Sequence, residues 1–463
     1  LAQLCRGKDG VPLDEQATLK WCTKAAEQGY TPAQNDLGLM YKRGEGVPQN
    51  GEAAVYWYTK AAEKGDVISQ YHLGNMYGLG DGIPKNGKVA LYWYTKAAEQ
   101  GHAKAQFNLG NMHRVGEEIP QNSELAAYWF IKSAEQGHMV AQFNMGVAYA
   151  DGEGALKNIS AALNWYNKAA EQGHAKAEYQ LGLMHKRGDG VPQSDEAAVI
   201  WFTKSAAQDN ASAQFNLGLM FDEGKGVIEN SKTAAHWYTL ATQQGYAEAQ
   251  LSLALMYEVG RGVPKNAPTA LKLFALAAEQ GVALAQYNMA VAFETGKGAP
   301  KDLTLAFEWY RQAAEQGHAQ AQYNLGLFYK RGDGAPKNEL MAMKWLTLAA
   351  EQGNASAQLN IGLMYEDGKG VEENGKIAVH WYTLAAKQGH AQAQTNLGFM
   401  YEDGSGIAKD RERAYMWYNL SAINGNKRGT KNKDQVAKLM TTSAISKAEK
   451  MSKRCLDSDY AEV

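Results

Sequence analysis

The sequence predicts an all-α solenoid of about eleven 36-residue helix–turn–helix repeats, closed by a C-terminal capping helix. Three observations carry this. A closing position recurs at 29, 65, 101, 137, 173, 209, 245, 281, 317, 353, 389 and 425, and only Asp209 is not glycine. Between closing positions, two helix patterns flank one turn rich in glycine and proline. The second helix pattern holds every tryptophan in the chain. Stacked units of this kind share one continuous core. That overrides the roughly three globular domains that chain length alone suggests.

The clearest unit runs from Ala103 to His138. Its first half, AKAQFNLGNMH, has helical periodicity, with Leu37, Gly38 and Tyr41 of an earlier unit marking the core face. Glycine inside a helix costs about 1 kcal/mol against alanine. Its recurrence at Gly38, Gly74, Gly110, Gly146 and Gly182 therefore implies two helix backbones in close approach. The turn glycines, as at Gly44 and Gly46, supply positive φ. A capping side chain opens the second helix in all twelve copies, from Asp14 and Asn50 through Asn374 and Asp410. Tryptophan follows, as at Trp57, Trp93 and Trp129, once per unit with Leu273 in the single gap. Such regularity reads as packing. The closing glycine is a left-handed helix stop, a conformation that Asp209 also tolerates.

Residues 1–426 form the expected solenoid, with 1–30 an incomplete first repeat. The chain opens at Leu1 inside a helix pattern, which suggests that residues have been removed ahead of it. Cys5 and Cys22 fall on the two helices of this first hairpin; two reduced, packed thiols are the favoured reading and a bridge the alternative. Residues 427–463 leave the pattern and are expected to cap the open end. They hold two short helical patterns, near 433–440 and 443–456, the second with an apolar stripe of Ile445, Ala448 and Met451.

A net charge of −2 gives no overall basic field for nucleic acid. No apolar stretch is long enough to span a membrane. The GxG turns lack a preceding strand, so they are turns and not dinucleotide fingerprints. GIPKNGKV at 82–89 places Val where a phosphate loop needs Ser or Thr. His102, His138 and His174 recur one unit apart. Equivalent positions in stacked units are separated by about 8–10 Å, whereas zinc ligands converge to about 2 Å from one ion. These histidines are read as polar residues starting the next helix. No catalytic, cofactor or metal constellation emerges, and an enzyme is not expected.

Turn-side charges alternate in sign. Arg114, Lys186-Arg187 and Lys330-Arg331 are answered by Glu117, Asp189 and Asp333, while Glu258 and Glu294 are answered by Arg261 and Lys297. Local neutralisation is the expected role; the uncompensated turns at Asp151/Glu153 and Glu402/Asp403 are the first charged candidates for binding. The stronger candidate is the opposite face of the first helix, through positions 108, 111 and 115. Asparagine recurs there at Asn108, Asn144, Asn216, Asn288, Asn324, Asn360 and Asn396. An amide both donates and accepts, so it suits an extended backbone of any sequence. Phe107, Phe143, Phe215, Tyr287 and Tyr323 precede several of them and offer stacking area. The alternative is that the amides and rings serve packing between neighbouring units.

These residues resemble the Sel1-like repeat family, relatives of the tetratricopeptide repeats. The family pattern AxAQxxLGxMY, a GxGVPxD/N turn and AxxWYxKAAEQG stands here as AKAQFNLGNMH, GEGVPQN and AAVYWYTKAAEKG. The tail segment KLMTTSAISKAEKM also looks like the closing segment of bacterial members. The resemblance implies antiparallel helix pairs stacked into a right-handed superhelix, and a scaffold or adaptor binding a protein or peptide along its concave surface. It also implies export, periplasmic or secreted, over a cytoplasmic location. A monomer is expected. The alternatives are an outer-face binder of a large folded, possibly host, protein, and a structural spacer.

Overall fold

The computed structural model describes residues 15–458 and 460. It divides into two compact units, Leu1–Glu229 and Asn230–Val463. Every element among the described residues is an α-helix. In the first unit the helices are α1 (Glu15–Glu27), α2 (Thr31–Arg43), α3 (Gly51–Ala62), α4 (Val67–Leu79), α5 (Gly87–Glu99), α6 (Ala103–Val115), α7 (Ser123–Glu135), α8 (Met139–Asp151), α9 (Ile159–Glu171), α10 (Ala175–Arg187), α11 (Asp195–Ala206) and α12 (Ala211–Glu223). In the second they are α13 (Ser231–Gln243), α14 (Ala247–Val259), α15 (Ala267–Glu279), α16 (Ala283–Thr295), α17 (Leu303–Glu315), α18 (Ala319–Arg331), α19 (Glu339–Glu351), α20 (Ala355–Asp367), α21 (Gly375–Lys387), α22 (Ala391–Asp403), α23 (Arg411–Ile423), α24 (Lys427–Ala437) and α25 (Thr442–Asp457). Up to α23, even numbers are first helices of a repeat and odd numbers are second helices.

The boundaries follow from the residues that stop and start the chain. Each second helix from α3 to α23 begins behind a polar cap. Asn50 accepts from the amide of Ala53 at 3.0 Å, and Asn158, Ser194 and Asp410 do the same for their own helices. Asp14, expected to cap in the same way, and Cys5 lie outside the described residues; Cys22 is buried in α1. First helices end on a left-handed glycine, as at Gly44 with φ 76°, and Asp209 takes the left-handed form at φ 59°.

The core shows what lies closest at the expected close approach: a Cβ at Gly110 would meet the backbone carbonyl of Ala126 at 3.2 Å, and a ring nearer still. A Cβ at Gly38 would sit 2.7 Å from Cδ1 of Tyr58, and one at Gly110 would sit 2.7 Å from Cδ1 of Phe130. The glycine makes room for an aromatic ring of the second helix in the same repeat. That ring, one residue beyond the tryptophan, is the fully buried one, as at Tyr58, Tyr310 and Tyr382. Most tryptophans are instead half-buried. Trp129 packs over a cluster made by Ala90, Tyr94 and Ala97 of α5 with Ala105 and Leu109 of α6. Trp57, Trp201 and Trp381 repeat this arrangement. Each tryptophan thereby fastens its own first helix to the preceding second helix.

A buried glutamine in every first helix from α2 to α22 except α10 sits where consecutive repeats meet. Gln106 donates to the carbonyl of Ala98 at 3.0 Å, satisfying a group left open by the end of α5, and accepts from Gln136 at 2.8 Å. Gln142, Gln322 and Gln358 repeat the pattern.

The tail keeps the register longer than its sequence suggests. Helix α24 begins at Lys427, where the next first helix is due, and Asn426 caps it through Gly429 at 3.1 Å. The helix that follows, α25, buries Ala448, Ser452 and Cys455. Its half-buried Ile445 and Met451 also pack on α23 and its neighbours. No helix among the described residues is long and apolar enough to cross a membrane.

Candidate binding clefts on the first helices

A cleft recurs on the side of the repeats that carries the asparagine stripe. Its floor is the aromatic ring of a second helix, one wall is the asparagine of the next first helix, and its lip is the last turn of the preceding first helix. The cleft at Tyr94 has a volume of about 320 Å³ and is lined by Asn75, Gly78, Leu79, Asn108, Asn111 and Val115, among others. One repeat on, the cleft at Phe130 has a volume of about 330 Å³, with Asn144 and Val147 in the wall, Arg114 at the lip and Lys176 reaching in from α10. In the second unit the cleft at Phe274 holds only about 30 Å³. In its lining Lys297 pairs with Glu258 at 2.6 Å.

Residue type at the lip changes the contacts made in a cleft. Where it is glutamate and the floor is tyrosine, the hydroxyl is captured: Tyr310 donates to Glu294 at 2.5 Å, Tyr418 to Glu402 at 2.8 Å, and Tyr382 to Glu366. Burial, then the carboxylate, pushes these phenols well above their ordinary range. Two lip lysines reach the wall: Lys330 donates to Asn360 at 2.9 Å, and Lys186 to Asn216 at 3.4 Å. Burial lowers the Lys330 ammonium. Gly78 offers neither group. The Tyr94 hydroxyl, pushed up to about 12 by burial, turns to Asn75 at 2.8 Å, and the space beside it stays open.

The asparagines of the stripe are mostly engaged within the fold. Asn108 donates to Asn75 at 3.1 Å. Asn216, Asn288 and Asn360 each donate to the carbonyl four residues back, at 2.9 Å. Asn324 accepts from Gln320 at 3.3 Å and Asn396 from Gln392 at 2.9 Å. Asn144 makes no side-chain hydrogen bond among the described residues; its floor Phe130 has no hydroxyl, and its lip residue Arg114 turns to Asn111 at 3.4 Å.

The aromatic residues before the asparagines lie in the joints between repeats. Phe107 stacks on His138 with centroids 4.5 Å apart, Phe143 on His174 at 4.6 Å and Tyr287 on His318 at 4.8 Å. Tyr323 packs against the core of α19 and α20, and Phe215 is half-buried on α12. Of these five, Phe143 also lines an open cleft. The histidines take the role read for them: His102, His138 and His174 cap the next helix through Nδ1, at 3.1, 3.3 and 3.2 Å from the amide three residues on.

Charges at the turns neutralise locally in several repeats, as Lys225–Glu223 at 2.6 Å and Arg331–Asp333 at 2.6 Å. Others answer across repeats, as Lys42–Asp81 at 3.0 Å. Neither Arg114 nor Lys176 has an ion-pair partner within 4.0 Å among the described residues. The Glu153 carboxylate, already singled out by its turn, takes the hydroxyl of Ser123 at 3.2 Å. Sequence reasoning located the asparagine stripe but missed the floor rings and Lys176. The signal for them was present, since Phe130 and Phe274 replace a tyrosine that most repeats carry.

Helix pairs of 12 or 13 residues, recurring every 36 residues with a large buried side chain in each second helix from α3 to α23, define an α-solenoid protein. A model of the Sel1 repeat matches in twelve copies, from residues 1–30 through 391–426. The chain belongs to the Sel1 repeat family. It is similar to the crystal structure of a protective antigen present in uropathogenic Escherichia coli strains, with 34% identity, 96% of each chain covered and a TM-score of 0.83. It is also similar to a Sel1 repeat protein from Oxalobacter formigenes, with 33% identity over 71% of this chain and 93% of the other, and a TM-score of 0.55. Among curated proteins none matches. Sel1 repeat proteins are typically protein-interaction scaffolds, generally without catalysis.

Proposed function

We propose that this chain is a non-catalytic scaffold that holds an extended segment of a partner protein along its first-helix clefts. The recurrence of one cleft in successive repeats, with an amide wall and an apolar floor, carries the reading. A linear ligand meets such a surface in register, with main-chain groups on the amides and side chains in the clefts. The asparagines already bonded inside the fold keep unused acceptor or donor capacity on the same stripe.

A second reading has its own observation. Tyr56, Tyr92 and Tyr128 are about half exposed on the second helices, one repeat apart. Lys60, Lys96 and Lys132 lie over their rings at 5.6, 5.9 and 5.9 Å. An outer-face partner would use this stripe.

Selection of a displayed random peptide library on the purified chain separates the two. Enriched peptides that lose affinity on Asn144→Ala and keep it on Tyr92→Ala support the cleft reading. The reverse pattern supports the outer face. Enrichment of no peptide, with the chain folded, contradicts the cleft reading.

A further inference from the structure

We infer that the two neighbouring open clefts of the first unit form a paired subsite for an acidic peptide segment. An apolar side chain enters the cleft at Tyr94, and a carboxylate side chain enters the cleft at Phe130, three residues away. The inference rests on the cleft reading above and names the chemistry of its partner.

Arg114 and Lys176 supply the positive charge. They border the second cleft from α6 and α10, and neither is neutralised by an ion pair among the described residues. Asn144, whose amide is unspent, lines the same cleft with Phe130 and Ala126. Two cations and a free donor over an apolar floor fit a carboxylate on a short aliphatic stem. The single acid at this mouth, Glu153, occupies the register position of Lys297, and Arg114 occupies that of Glu258. Lys297 and Glu258 pair with each other in a cleft of only about 30 Å³. Arg114 and Glu153 carry the same pair of charges in swapped positions but leave their cleft open.

The first cleft differs in kind. Its cation, Lys85, is held by Glu117 at 3.2 Å and Glu118 at 3.4 Å. Its rim presents Leu79 and Val115, 76% and 55% exposed. The apolar rim, and a cation already held by two carboxylates, select an apolar side chain over an acidic one.

Spacing sets the register of the ligand. Equivalent points on neighbouring first helices are about 10 Å apart. A polyproline II segment returns to the same face every three residues, after about 9 Å. A flat β-strand places side chains three apart on opposite faces, so it does not fit both clefts. The occupant is therefore a polyproline II segment with Leu-x-x-Glu, or the reverse order, and it carries its own low ordering cost.

The test uses the full chain and fluorescein-labelled twelve-residue peptides on a Pro/Ala background, read by anisotropy. One set carries Leu and Glu three apart in both orders; controls replace Glu by Gln or by Lys, or set the pair two apart. The inference expects at least tenfold tighter binding of one Leu/Glu order over its Gln control. It expects Lys176→Glu with Arg114→Glu to abolish that preference and to favour the Lys peptide. Glu153→Gln is expected to tighten the Glu peptide several-fold, and Leu79→Ser to weaken it. Circular dichroism melts verify that each variant is folded. Equal binding of Glu and Gln peptides overturns the inference, as does free glutamate competing as well as the peptide. If library-selected peptides bind the stripe without an acidic residue, this inference fails while the cleft reading stands. If no peptide meets the stripe, both fail.

Discussion

Glu178 occupies the position that glutamine holds in the other ten complete repeats. It is 4% exposed and accepts from Gln208 at 2.7 Å, but a carboxylate cannot donate to the Ala170 carbonyl as Gln142 donates to Ala134. Burial raises its pKa above the ordinary 4.5. A raised acid favours the fold below the unfolded value and loses that contribution as pH rises through the folded value. Glu178→Gln therefore stabilises the chain at pH 7 by about 1 kcal/mol, and the gain shrinks as pH falls toward 4, as urea titrations at the two pH values will show. Glycine supplies a second comparison at this scale. Gly38→Ala drives a methyl into Tyr58 and costs about 1–3 kcal/mol. At Gly78 the added methyl lies 3.4 Å from the Tyr94 hydroxyl, an ordinary contact, and alanine gains up to about 1 kcal/mol of helix propensity. Thermal melts of the two variants are expected to move in opposite directions. Both glycines stand in first helices, and only the second-helix ring tells them apart.

At the scale of elements, helix starts link stability to pH. His102, His138, His174, His318 and His390 cap first helices through Nδ1, while Asn210 and Asn354 cap the same position without titrating. Burial is the first cause lowering all five histidines below 6.5. A depressed histidine leaves the fold at full stability above the unfolded value; stability is then lost as pH falls from about 6.5 toward the folded value. Protonation also turns the capping acceptor into a donor. The melting temperature is expected to drop between pH 7 and pH 5, and His138→Asn combined with His174→Asn to flatten that drop. An unchanged slope in the double variant would contradict the capping role. This much was legible in the sequence, because the period placed each histidine at a helix start. The stacking of Phe107 and Phe143 on those histidines was not. Periodicity assigns a residue to a face of its own helix, while the joint with the next repeat decides which partner it meets. For the same reason the stripe of Asn108, Asn144 and Asn216 was found, yet which of its amides stays unspent was not. That depends on the residue four positions back in the same helix, as for Asn216, and on contacts with neighbouring repeats, as for Asn108 with Asn75.

For the whole molecule, the constant 36-residue period made the architecture legible from glycines, caps and tryptophans alone. The tail was read less well. Lys427–Ala437 is polar and lacks the glutamine and leucine of a first helix, so register, and not composition, places it. Each repeat contacts chiefly its neighbours, so a repeat can vary its lip and floor without disturbing the stack. Glu–Tyr pairs and one Lys–Glu pair mark the second unit, and clefts at Gly78 and Phe130 are open in the first. The central claim is that ligand binds on the first-helix stripe. Photo-crosslinking tests it most directly, with benzoylphenylalanine placed in turn at Asn111, on the stripe, and at Tyr92, on the outer face. The cleft account predicts that a library-selected peptide crosslinks at Asn111 and not at Tyr92. Crosslinking at Tyr92 with none at Asn111 would contradict it.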